Sequence, residues 1–131
     1  MEFTTFILAR ILGPYFLLGG LAIMLRYSYF IPVVGAFAEE RLLRFIVAIF
    51  EFISGLIIVN LHPYWTGASA VIISITGWLM LLEGAGYLIA PDWLAAWIVK
   101  KFNVRGWYIG GGLLAIVIGL YLSAAGFGLI I

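Results

Sequence analysis

Residues 42–61, LLRFIVAIFEFISGLIIVNL, then HPYWT at 62–66 and GASAVIISITGWLMLLEGAGYLIA at 67–90, decide the fold. A membrane-crossing helix needs about 20 mainly apolar residues, and both long runs reach that length. The five residues between them leave room only for a turn, and Pro63 disfavours helix at His62. The stretch therefore reads as two antiparallel membrane helices joined at a tip that carries His62. The same measure applied outward finds two more spans, Phe3 to Leu25 and Gly106 to Gly126. The sequence thus predicts an all-α integral membrane bundle of four helices, forming one transmembrane domain over residues 1–131.

Composition supports the membrane class. The 131 residues are 66% hydrophobic and 10% charged, whereas a soluble domain is about 45–50% apolar and about 25% charged. Four spans in so short a chain place any site inside the membrane or at its surface. Cysteine is absent and His62 is the single histidine, which excludes disulfide frameworks, thiol chemistry and zinc sites. A net charge of +1, spread over the connections, offers no stripe for nucleic acid. The expected partners are the lipid bilayer and another copy of the chain or a second membrane protein. Neither a nucleotide loop, a nucleophile elbow nor a zinc-protease motif occurs, so no cofactor and no enzymatic activity are expected.

Lys and Arg in short loops are retained in the cytoplasm. Arg26, Arg41 and Arg44 flank the first connection and Lys100, Lys101 and Arg105 the third, which is six of the seven basic residues. This predicts a multi-pass protein of the cell (inner) membrane with both termini and His62 outside. The N-terminus, with Glu2 before its apolar run and Arg10 within it, lacks the features of a cleaved leader, so the first span is expected to remain. Between spans three and four, residues 92–102 place Trp93 and Trp97 four positions apart before Lys100 and Lys101, the pattern of an amphipathic interfacial helix. The apolar stretch 30–38 is expected to lie in, or dip into, the interface.

Two acids interrupt the spans, and an intramembrane carboxylate is a functional-site hypothesis by default. Glu51 shares a helical face with Arg44, Ala48, Ser54, Gly55, Ile58 and His62; Glu83 shares one with Ser69, Thr76, Met80 and Tyr87. At a rise of about 1.5 Å per residue, Glu51 falls near the midplane and Glu83 roughly 7 Å toward the cytoplasm. Arg44 and Arg10 fall at depths from which each reaches one acid. The expected ion pairs are Arg10 with Glu51 and Arg44 with Glu83, and the competing reading is an ion pathway with Ser54, Asn60 and Thr76 as secondary ligands. His62, a lone loop histidine, is expected to be solvated and able to sense external pH.

In span four Gly111, Ala115, Gly119 and Ser123 recur at every fourth position, and Gly106 and Gly110 form a further G-x-x-x-G. Such a ridge lets another helix approach closely, within the chain or from another copy. With four spans, Ala9-Arg10 early in span one and Glu51-x-x-x-Gly55 in span two, the chain resembles the DoxX-like small bacterial membrane proteins. That group's activities are too varied for the resemblance to imply a mechanism. Two functions fit the sequence. The first is a structural or accessory membrane protein that associates through its helix faces; the second is a minimal channel or transporter for ions, protons or small solutes that uses the intramembrane glutamates.

Overall fold

A computed structural model describes residues 2–129. Six helices follow one another: α1 Phe3–Leu25, α2 Tyr27–Glu39, α3 Arg41–Leu61, α4 Ala68–Ile89, α5 Asp92–Phe102 and α6 Arg105–Gly126. The described residues contain no strand. Four helices, α1, α3, α4 and α6, are long and apolar enough to cross a membrane. Their ends fall within a residue of the apolar runs, because helix length here follows from uninterrupted apolar sequence and stops where Pro, Gly and charge accumulate. The stretch 30–38 belongs to a helix in its own right, α2, which contains Pro32.

Packing divides the long helices into two antiparallel pairs, α1 with α6 and α3 with α4, and the pairs touch each other much less. Small residues seven positions apart make both seams. On α1 they are Gly13 and Gly20, and on α6 Gly112, Gly119 and Gly126; on α3 they are Ala48 and Gly55, and on α4 Gly77 and Gly84. Seven residues is close to two helical turns, so each set forms one line along its helix. A Cβ added at Gly20 would lie 2.6 Å from the Gly112 carbonyl oxygen, and one at Gly84 would lie 2.8 Å from that of Ala48. The backbones are therefore in direct contact, the arrangement that packs helices where lipid gives no hydrophobic drive to associate.

The ridge expected on α6 is rotated in the structure. Ala115, Gly119 and Ser123 do face α1, but Gly112 takes the place assigned to Gly111. A Cβ at Gly106, Gly110 or Gly111 would meet nothing within 4 Å. Ser123 Oγ is buried against α1 with no hydrogen-bond partner.

Side-chain contacts gather Arg26, Arg41, Arg44, Lys100, Lys101 and Arg105 at one end with α2 and α5 (the basic end). There α5 is tied at both of its termini. Asp92 meets Arg41 at 2.9 Å and Arg44 at 3.3 Å. Lys100 pairs with Glu39, and its hydrogen bond and charge hold that carboxyl below its ordinary range. Asn103 donates to the Ile31 carbonyl at 2.8 Å and accepts from the Tyr108 hydroxyl. At the opposite end, Gly67 with φ of 97° turns the chain into α4.

Candidate functional site

Between the basic end and the apolar core lie two adjoining chambers, both open to the surface of the chain, where Glu83 itself is exposed. The smaller, 170 Å³, is lined by Arg44, Val47, Ala48 and Glu51 of α3, Glu83 and Tyr87 of α4, Phe37 of α2 and Val99 of α5. The larger, 340 Å³, is lined by Glu83, Tyr87 and Val99 again, with walls from α1, α2, α5 and α6 that include Val34, Ile98, Phe102, Asn103, Trp107 and Tyr108. Glu83 and Tyr87 therefore stand where the chambers meet. They reach it because Gly84, between them, lets α4 press onto α3 and turns its neighbours out toward the crevice between the pairs.

The expected ion pairs are replaced by others. Among the described residues the ion pairs are Arg41–Asp92, Arg44–Asp92 and Lys100–Glu39, none of which includes Glu51 or Glu83. Arg10 sits on the α1–α6 seam, its guanidinium 5.4 Å from the Phe6 ring centre and 4.8 Å from that of Phe127. Depth along the membrane placed Arg10 near the level of Glu51, but α1 packs on α6 rather than on α3, so the side chain is on the wrong flank. Arg44 is only 11% exposed and lines the smaller chamber, yet its Nη2 turns to Asp92 and its Nε is buried without a partner. The acids, expected on separate levels, share one chamber.

The proposed secondary ligands lie elsewhere. Asn60 is exposed and donates to the Leu56 carbonyl at 2.8 Å, while Thr76 donates to that of Ile72 at 2.8 Å, each bonding its own helix one turn back. Ser54 is half-buried on α3 and lines neither chamber.

The structure also assembles a polar group that sequence reasoning missed. His62 is 1% exposed instead of solvated. Its Nε2 lies 2.7 Å from Thr5 Oγ1 on α1, and its Nδ1 lies 2.9 Å from Ser74 Oγ on α4. Ser74 gives its single proton to the Tyr64 carbonyl at 2.6 Å, so Nδ1–H donates to Ser74 and Nε2 accepts from Thr5. These bonds are those of a neutral imidazole that clamps the helix pairs together. Burial holds the His62 pKa below its ordinary value. The available signal was spacing: Ala48, Gly55 and His62 stand seven apart on the α3 seam.

No known protein family, curated protein or solved structure matches the chain. Between the His62 clamp and the acid chambers lie Ala9, Ile58, Ile73 and Leu122, with Phe16, Met80 and Ile118 packed around them. Apolar packing thus stands between the chambers and the His62 end.

Proposed function

We propose that this small membrane protein is a carrier that binds a cation, the proton included, at Glu51 and Glu83. The observation that carries the proposal is that both carboxylates line one 170 Å³ chamber while the nearest arginine is engaged by Asp92. A carboxylate at membrane depth needs a proton, a cation or an ion-pair partner, and neither acid belongs to an ion pair among the described residues. Apolar packing between the chambers and the His62 end suits a carrier better than an open pore. In this reading the four long helices form a bundle, the basic end faces the cytoplasm, and α2 and α5 lie along the membrane surface.

Reconstitution into liposomes with an imposed gradient tests the proposal, with internal pH and methylammonium uptake as readouts. Glu51→Gln and Glu83→Gln should each abolish flux while helix content by circular dichroism stays unchanged. Undiminished flux in both variants, or none in the wild-type protein, refutes the carrier.

The accessory reading keeps one specific support, the open ridge of Gly106, Gly110 and Gly111 on α6. These glycines leave space for a helix that the chain itself does not supply. Crosslinking from position 110 in membranes, before and after Gly106→Leu, measures whether a second copy or another protein occupies it.

A further inference from the structure

The larger chamber carries information about the kind of cation. Its walls are apolar or aromatic, and two of its polar groups are already engaged, because Asn103 and Tyr108 are bonded to each other and Asn103 also to Ile31. Glu83 and the Tyr87 hydroxyl, which has no hydrogen-bond partner among the described residues, are left to meet a ligand. A hard metal ion asks for about six or more oxygen ligands. No group of three or more metal-binding side chains occurs among the described residues.

The aromatic rings differ in the same sense. Tyr27, Tyr29, Trp97, Phe6 and Phe127 each hold a cation of the chain against their faces, from Arg105, Arg26, Lys101 and Arg10. Among the described residues Trp107 and Phe102 in the chamber wall hold none; they are set edge to face, with ring centres 4.8 Å apart. Trp107 is 57% exposed, so the chain itself does not cover its ring. A cation over such a face is attracted by the ring quadrupole.

Resting on the carrier reading above, we infer that the cation is a monovalent organic one, an amine or quaternary ammonium whose charge meets Glu83 and Tyr87 and whose apolar body lies against Phe102 and Trp107. A chamber of 340 Å³ adjoining one of 170 Å³ falls in the lower range of small-molecule sites, which suits a body of one or two rings.

Titration calorimetry in detergent micelles, with phenyltrimethylammonium and tetramethylammonium as probes, tests this inference. Phenyltrimethylammonium should bind at least about tenfold more tightly. Glu83→Gln should abolish the binding of both, and Trp107→Leu should erase the preference between them. Phe102→Leu provides the same readout if Trp107→Leu does not fold. Equal affinity for the two probes, or binding indifferent to Glu83→Gln, overturns the inference. If neither probe binds while Glu51-dependent proton flux persists, this inference falls and the carrier stands; if flux is also absent, both fall.

Discussion

Thr5 Oγ1 lies 2.7 Å from Nε2 of His62, 57 positions further along the chain, and the bond joins the two helix pairs at the end away from the basic residues. Both residues are buried, at 2% and 1% exposure. Replacing Thr5 by Val keeps the shape and removes the hydroxyl, which leaves Nε2 without a donor in a dry position. An unsatisfied buried acceptor costs about 1–3 kcal/mol. Thr5→Val should therefore lower stability by that amount in a mixed-detergent unfolding titration, whereas Thr4→Val, one position away and not part of the clamp, should change little.

Protonation of His62 should act in the same direction. The unfolded chain binds a proton at the ordinary histidine value of about 6.5, and burial places the folded value lower. As pH falls below about 6.5 the unfolded state takes up the proton first, so stability declines through that window and is flat above it. The groups around the imidazole are Thr5, Ser74 and Tyr64, with Glu2 and Tyr121 lining the adjoining cavity. None of these supplies a fixed carboxylate partner for an imidazolium among the described contacts. His62→Gln, which retains hydrogen-bonding capacity but does not titrate, should flatten the pH dependence of unfolding below about pH 6.5; an unchanged slope would assign it to another group.

The four long helices were legible because each depends on one local quantity, the length of an apolar run, whereas α2, which is too short for that measure, was not. Helix partnership was not, because depth and face do not say which helix stands opposite. That is why Arg10 was assigned to Glu51 although α1 lies on α6, and why Arg44 was assigned to Glu83 although Asp92, at the start of α5, comes nearer. The seven-residue spacing of Gly13 and Gly20 with Gly112, Gly119 and Gly126 held the missing information. A four-residue ridge through Gly111 differs from it by one position, which is about 100° around the helix. The acids were recognised from their places inside the apolar runs; their shared chamber follows from Gly84 and Gly55, which bring α3 and α4 into contact.

The seam and the open ridge of α6 make opposite predictions for the same substitution. A Cβ at Gly119 would lie 2.7 Å from the Gly13 carbonyl oxygen, so Gly119→Ala forces α1 and α6 apart. Overpacking of this kind costs about 1–3 kcal/mol. At Gly110 there is open space, and alanine is favoured over glycine in a helix by up to about 1 kcal/mol. Gly119→Ala should therefore lower the unfolding midpoint and Gly110→Ala should leave it unchanged or raise it. A loss at Gly110 equal to that at Gly119 would mean that a second molecule packs on the ridge.

Asp92 holds α5 and restrains Arg44 together. Arg41 and Arg44 both converge on its carboxylate, and only Arg44 also lines the chamber of Glu51 and Glu83. In Asp92→Asn the Arg44 guanidinium loses its anion, and the carboxylates within the same chamber become its remaining partners. Two effects should follow from that single charge. Trypsin should cleave severalfold faster after Lys100 and Lys101, since α5 has lost its N-terminal tether. Cation binding should also weaken, because Arg44 now neutralises the acids from inside. Adding Arg44→Met to Asp92→Asn separates the two effects: binding should recover while cleavage stays fast. Failure of binding to recover would show that Asp92 acts on the chamber through the position of α5 and not through the arginine.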